Sequence, residues 1–159
     1  WHYADPEATP DILPRHPDFG SMPVNGSLEA LAMDRAGRLW TLPETGTADS
    51  VPIYRFDAEG WTVAARLAAD GRFRPVALDF GPDGAAYLLG FASRLSRLPL
   101  GPVARRAILW QSRLGQFDNL EGLAITRDAA GRLRATMVSD DNFLPFQRSE
   151  LVELLLPRA

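Results

Sequence analysis

A hairpin pattern that returns roughly every 46 residues is the feature that most constrains how this chain can fold. Short apolar runs alternate with turns rich in Asp and Gly, and this alternation is typical of antiparallel β-hairpins. Three copies of the pattern occupy residues 28–42, 74–89 and 120–138. A repeat of this length that holds four short strands has the spacing of a β-propeller blade.

The predicted strands are too few for a closed ring. Apolar runs at 51–56, 61–67 and 104–111 add strands to the three hairpins, whereas residues 91–98 predict a helical turn or two. The total of about ten strands corresponds to two and a half to three four-stranded antiparallel blades, and a closed ring needs at least about four. We therefore expect an all-β, β-propeller-like fold with an incomplete ring.

The chain divides into a Pro-rich N-terminal arm over residues 1–27 and a partial propeller over residues 28–159. A propeller protects its end blades when the ring closes. We therefore expect either further N-terminal blades or a second copy of the chain, in a homodimer, to complete the ring.

Composition excludes several kinds of chemistry. All 17 basic residues are Arg and Cys is absent, which excludes Schiff-base lysines, P-loops, disulfides, thiolate metal sites and cysteine nucleophiles. The only imidazoles, His2 and His16, lie in the arm. A net charge of −3 argues against non-specific nucleic-acid binding, and no apolar run is long enough to predict a membrane span.

Matching positions in the three hairpins carry charged side chains. Glu29, Arg74 and Glu121 lie 45 and 47 residues apart, and the innermost strands of propeller blades converge on a central channel. Two carboxylates there could bind a hard cation such as Ca²⁺, and an Arg could hold a phosphate or carboxylate. The alternative is that these residues form structural salt bridges across the channel.

A second polar set follows the later strand of two hairpins. It consists of Glu44 in the first copy and Asp140, Asp141 and Asn142 in the third. Clustered carboxylate oxygens without His or Cys suit Ca²⁺ better than zinc. The predicted metal ligands are therefore Glu29, Glu121, Asp140 and Asp141. The alternative is that Asp141 and Asn142 only begin the loop, since both residue types favour turns.

Two segments resemble a known family. Residues 119–133 (NLEGLAITRDAAGRL) and 139–156 (SDDNFLPFQRSELVELLL) are similar to the last blades of the bacterial phytase-like esterase family, described by its esterase-like activity of phytase. Residues 27–44 and 73–84 resemble earlier blades. The resemblance implies a propeller hydrolase in a periplasmic or secreted location. Family members carry a Glu-Arg pair after the middle hairpin, where this chain has Gly90 and Phe91.

These observations predict a calcium-assisted phosphoesterase or esterase-like hydrolase, or the C-terminal part of one. Its substrate is expected to be a small anionic ester or phosphate. Glu121 or Asp140 would activate water, and Arg74 would bind the substrate. The alternative is a non-catalytic propeller module that binds a protein or a ligand.

Overall fold

The computed structural model describes His2 and residues 5–101, 103–104 and 106–157, with the backbone alone described at 103–104. Twelve strands form within these residues. In chain order they are β1 (Leu28–Met33), β2 (Leu39–Pro43), β3 (Ser50–Asp57), β4 (Gly60–Ala68), β5 (Pro75–Phe80), β6 (Ala86–Gly90), β7 (Arg94–Leu98), β8 (Val103–Ala104), β9 (Ala107–Gln111), β10 (Asn119–Arg127), β11 (Leu133–Asp140) and β12 (Leu151–Leu155). In the described part of the chain, no helix has the length and apolar character that a membrane crossing requires.

The strands form three sheets, which we call blades 1, 2 and 3. Blade 1 contains β1 to β4 in order, blade 2 contains β5, β6, β7 and β9, and blade 3 contains β10 to β12. The short β8 follows β7 in the chain but pairs in parallel with β4, so that it joins blade 1 as a fifth strand. The expected all-β, propeller-like fold with an unclosed ring is therefore confirmed.

Apolar side chains hold neighbouring blades together. The core between blades 1 and 2 includes Leu42, Leu67 and Leu88, and the cores between blades 2 and 3 include Leu89 and Met137. All five are at most 2% exposed, and burying a side chain of this size contributes about 1.5–3 kcal/mol. The innermost strands β1, β5 and β10 pack in sequence, so their starts lie at one end of the stack.

Asp-Gly turns close the hairpins of blades 1 and 3 in the same way. The Asp34 carboxylate accepts hydrogen bonds from its own turn and from the Arg38 guanidinium at 2.7 Å. Asp128 repeats this arrangement with Arg132, also at 2.7 Å. Gly37 and Gly131 adopt φ of 76° and 74°, which side chains disfavour. The sequence repeat thus encodes a repeated turn.

Each innermost strand begins with an irregularity in its pairing. The register shifts at Glu29 in β1, at Val76 in β5 and at Glu121 in β10, as expected for a β-bulge. Val76, rather than Arg74, is therefore the blade 2 equivalent of the two glutamates. The hairpin of blade 3 has two more residues between its bulge and its turn than the hairpins of blades 1 and 2. Counting back from the turn therefore matches Glu121 to Arg74, which lies two residues before Val76.

The helical turns predicted at 91–98 are wrong, because Arg94–Leu98 forms strand β7. The three-residue spacing of Arg94 and Arg97 favoured a helix. In the fold, β7 pairs with β6 on one side and with β9 on the other, and Leu95 and Leu98 are buried in the cores. Tertiary pairing therefore overrides the local helical pattern.

The outer faces of blades 1 and 3 differ in how they are covered. The Tyr54 hydroxyl donates to Asp18 at 2.8 Å, and the Trp61 indole donates to the Pro14 carbonyl at 2.8 Å, so the arm covers part of blade 1. On blade 3, Leu151 remains 70% exposed. Completion of the ring by further blades or by a second copy stays a prediction.

Candidate functional site

Charged side chains gather at the end of the stack where β1, β5 and β10 begin, which we call the bulge end. Glu29 and Glu121 lie at the bulges, Glu44 follows β2, Asp140 ends β11 and Arg74 precedes β5. Blades 1 and 3 thus contribute two carboxylates each, and blade 2 contributes a cation. The fold brings together most of the site residues predicted from the sequence.

The same strand-end position holds different chemistry in the three blades. Two residues before each bulge, the innermost strand lies opposite Glu44 in blade 1, Phe91 in blade 2 and Asp140 in blade 3. Hydrogen bonds mark the equivalence, since the Glu44 and Phe91 amides each donate at 2.8 Å to the carbonyl of the residue before the neighbouring strand. An aromatic ring therefore interrupts the row of carboxylates in the middle blade.

The electrostatic evidence for a functional site is strongest at Glu121. Partial desolvation raises the pKa of its carboxyl, and the negative charges of Asp140 and Glu29 raise it further. A hydrogen bond from Asn119 opposes this effect, and Glu44 adds to it. No Arg or His in the described residues lies within ion-pairing distance of Glu29 or Glu121. The repulsion at Glu121 is therefore not relieved by a cation.

Asn119 orients the Glu121 carboxylate. Its side-chain amide donates to Glu121 Oε1. Its own Oδ1 is buried and has no hydrogen-bond partner among the described residues. A buried carbonyl without a partner is costly.

Arg74 lies between blades 1 and 2. Its guanidinium forms an ion pair with Glu44 at 3.1 Å and lies over the Phe91 ring at 5.6 Å from the ring centre. The side chain is 43% exposed, so part of the guanidinium remains open to solvent. The alternative predicted from the sequence is a structural salt bridge of Arg74 with Glu29 or Glu121. Among the described residues, Arg74 pairs with Glu44 instead.

Asp141 is occupied by its own loop. Its carboxylate accepts hydrogen bonds from the Phe143 amide at 2.9 Å and from the Ser149 hydroxyl at 3.2 Å. Asp140 likewise accepts from the Asn142 amide at 3.1 Å. These contacts support the turn-forming interpretation of the Asp-Asp-Asn run.

The predicted calcium ligands do not form a coordination sphere in this arrangement. Within the described residues, no three His, Asp or Glu side chains come close enough together to hold a metal ion. Carboxylate oxygens suit Ca²⁺ chemically. Calcium binding at Glu29, Glu121, Asp140 and Asp141 therefore stays a prediction.

A cleft of about 260 Å³, which we call the Phe91 pocket, opens beside these carboxylates. Its walls include aromatic and aliphatic groups as well as polar ones. They include Phe91, Ser93, Leu114, Phe117, Asn119 and Gln147. Asn119 lines the pocket and its side chain also donates to Glu121, so this residue connects the pocket to the carboxylates.

The opposite end of the stack, which we call the turn end, also carries carboxylates. Burial alone would raise the pKa of Asp34, but hydrogen bonds from Trp40 and Arg38 outweigh it and lower the pKa. At Asp83, hydrogen bonds from Tyr87 and the Ala85 amide outweigh burial in the same way. These carboxylates stabilise turns and carry no unrelieved charge.

Sequence reasoning identified the charged residues of the bulge end but missed Asn119 and Phe91 as parts of the site. Asn119 is two residues before Glu121, a spacing that places both side chains on one side of a strand. Phe91 was noted only as a departure from a family pattern. Both follow from the strand register, which the sequence does not display.

One family model matches this chain. It is the Phytase-like family, described as esterase-like activity of phytase, and the match covers residues 3–143. No curated protein and no solved structure matches. Because the family match spans most of the sequence and agrees with the observed blades, the chain belongs to the Phytase-like family.

Proposed function

We propose that this chain hydrolyses small anionic esters or phosphoesters at the bulge end. The family suggests a hydrolase-like function. The observation that carries the assignment is the convergence of Glu121, Glu29 and Asp140 at the bulge end. Partial desolvation and these neighbouring carboxylates raise the pKa of Glu121, and no cation among the described residues pairs with it. A carboxyl whose pKa is moved toward neutral pH is suited to exchange protons during catalysis.

In the proposed mechanism, Glu121 acts first as a general base. Its carboxylate takes a proton from a water molecule, and the water oxygen forms a bond to the carbonyl carbon or the phosphorus of the ester. The bond to the alkoxy oxygen then breaks. Protonated Glu121 returns its proton to the departing oxygen, so the carboxylate is restored.

Arg74 and Asp140 have supporting roles in this proposal. The exposed part of the Arg74 guanidinium binds the anionic group of the substrate, while Glu44 and the Phe91 ring hold it in place. The negative charge of Asp140 helps to keep the pKa of Glu121 raised. No step is assigned to a metal ion.

The main test is a panel of carboxylate and phosphate esters assayed with the wild-type chain and Glu121→Gln. We expect the substitution to lower kcat by about 10²–10⁴-fold. Glu59→Gln is the matched control, because Glu59 lies in the exposed turn between β3 and β4. Equal turnover in the wild type and Glu121→Gln, or no turnover of any ester, would contradict the proposal.

The role of Arg74 has its own test. Arg74→Ala should raise KM for anionic esters by about tenfold, since a charge-assisted hydrogen bond contributes about 1.5–3 kcal/mol. Arg72→Ala is the control, because Arg72 is an exposed cation two residues away. An unchanged KM in Arg74→Ala would remove Arg74 from substrate binding.

The calcium prediction is tested separately by thermal unfolding. A rise in Tm with millimolar Ca²⁺ that disappears in Glu121→Gln would support a site made of these carboxylates. An unchanged Tm would remove the prediction and leave the proposed proton transfer untouched.

A second candidate function, a binding module without catalysis, is favoured by the loop between β11 and β12. Phe143 and Phe146 are 99% and 76% exposed there. Exposed aromatic residues are enriched at protein interfaces. If this function is the correct one, no ester is turned over, whereas replacing both aromatics with Ser abolishes partner binding.

A further inference from the structure

We propose that the Phe91 pocket binds a small apolar or aromatic group of the substrate, so that the preferred substrates are aryl or short-alkyl esters with an anionic group. This inference rests on the proposed function, because it assigns the non-reacting part of a substrate of the same site. It concerns specificity and leaves the roles of Glu121 and Arg74 unchanged.

Exposed apolar side chains form part of the wall of the Phe91 pocket. Phe91 is 40% exposed and Leu114 is 98% exposed, although both are large apolar residues. Phe117 packs against Trp110 with ring centres 5.8 Å apart and forms part of the wall. The volume of the Phe91 pocket, about 260 Å³, lies just below the volumes of sites that bind drug-sized ligands. The pocket therefore suits one ring or a short alkyl chain.

Blade 2 carries Phe91 at the position where blades 1 and 3 carry a carboxylate. The equivalent positions in blades 1 and 3 carry Glu44 and Asp140, which would repel an anionic substrate. Phe91 places no charge at this position and lies under the Arg74 guanidinium, although Asp118 also lines the pocket. The middle blade therefore offers an apolar surface directly beside a cation.

Hydrogen bonds from the residue that follows β9 hold the loop that forms one wall of the pocket. Ala92 and Ser93 follow Phe91 with φ of 59° and 58°, the left-handed region that non-glycine residues rarely adopt. The Ser112 amide donates to the Ser93 carbonyl at 3.0 Å, and the Ser112 hydroxyl donates to the Ala92 carbonyl at 3.4 Å. A strained loop that its neighbours hold in place is a common feature of ligand sites.

The pocket is also connected to the reacting group. Asn119 lines the pocket and also donates a hydrogen bond to Glu121. In the proposed arrangement, a substrate whose apolar group fills the pocket extends past Asn119 toward the Glu121 carboxylate. Binding in the pocket therefore positions the substrate for proton transfer.

The first experiment measures kcat/KM for the monomethyl, monobutyl and monohexyl esters of succinate, which keep one anionic carboxylate. If the pocket binds the alkyl group, kcat/KM rises by about fourfold for each added methylene until the pocket is full. Phe91→Ala should lower the ratio of hexyl to methyl ester kcat/KM by about tenfold. Ile108→Ala is the control, since Ile108 is 55% exposed in β9 and does not line the pocket. A ratio that does not depend on Phe91 would overturn the inference.

The second experiment measures binding without turnover. Tryptophan fluorescence should change on addition of phenylphosphonate more than on addition of methylphosphonate, and the change should be absent in Trp110→Phe and weakened in Phe91→Ala. Ester turnover without this preference would overturn the pocket assignment and leave the proposed function standing. Phenylphosphonate binding without ester turnover would support the pocket and overturn the proposed function.

Discussion

The two ends of the blade stack carry similar side chains under opposite electrostatic conditions. At the turn end, Asp34, Asp83 and Asp128 each accept several hydrogen bonds and pair with an Arg, and the pKa of each is lowered. At the bulge end, the pKa of Glu121 is raised, with no Arg or His in ion-pairing distance among the described residues.

This difference separates carboxylates that stabilise the fold from those suited to chemistry. Both groups come from the same sequence repeat, so acidic residues alone do not identify the site. Hydrogen bonds and ion pairs stabilise the charged form at the turn end, whereas neighbouring carboxylates disfavour it at the bulge end. Replacing carboxylates at the two ends is therefore expected to change the free energy of unfolding in opposite directions.

The largest stability effect is expected from Asp34→Ala at the turn end. The Asp34 side chain is 7% exposed, and its loss leaves the Trp40 indole N–H without its partner at 2.9 Å. We expect a loss of about 2–3 kcal/mol in the free energy of unfolding, measured by urea denaturation. Asp49→Ala is the control, because Asp49 is exposed and only its backbone carbonyl is used. A loss of stability no larger than that of Asp49→Ala would contradict the stabilising role of the Asp34 carboxylate.

The pH dependence of this effect has a definite sign. The pKa of Asp34 is lower in the folded chain than its ordinary value, so its contribution is present above about pH 4 and is lost as the pH falls below that value. The stability difference between the wild type and Asp34→Ala should therefore shrink in acid. A difference that grows on acidification would contradict the assigned hydrogen bonds.

A smaller loss is expected from Asp79→Ala, which tests the contact between blades 2 and 3. The Asp79 carboxylate accepts a hydrogen bond at 2.6 Å from the Ile125 amide in β10. Its removal should cost about 1–2 kcal/mol in denaturant unfolding. Asp79→Asn should recover part of this loss, because an amide oxygen still accepts the bond. An Ala variant as stable as the wild type would show that this bond does not hold the blades together.

The smallest effect, with the opposite sign, is expected from Glu121→Gln at the bulge end. The raised pKa of Glu121 means that its charged form opposes folding, so stability falls as the pH rises above the ordinary pKa of a glutamate. At pH 7 the Gln variant should have a Tm higher than the wild type by about 1–2 °C, since the side chain is exposed. This gain should disappear near pH 4, and a lower Tm at pH 7 would contradict it.

The hairpins and their turns could be predicted from the sequence because they depend on local chemistry. The runs around Asp34 and Asp128 repeat the same turn, and the structure closes both hairpins there. The helical prediction for Arg94–Leu98 failed because β6 and β9 enclose that segment, and neither partner is visible in a local pattern. Pairing between distant segments decided its conformation.

The candidate site could be predicted only in part. Glu29, Glu121 and Asp140 were identified from their repeat positions, and they do lie at one end of the stack. The equivalence of Arg74 with the glutamates was wrong, because Val76 occupies the bulge of blade 2 and the hairpin of blade 3 is two residues longer. Bulges depend on the pairing of two strands, so a single strand's sequence does not reveal them.

The most direct test of the central claim is an NMR titration of the Glu121 side-chain carboxyl. The account predicts that it titrates above the ordinary value for glutamate, and that Asp140→Asn and Glu29→Gln each move the pKa down toward that value. A Glu121 pKa at or below the ordinary value, or one unchanged in both variants, would contradict the claim that neighbouring carboxylates raise the pKa of Glu121.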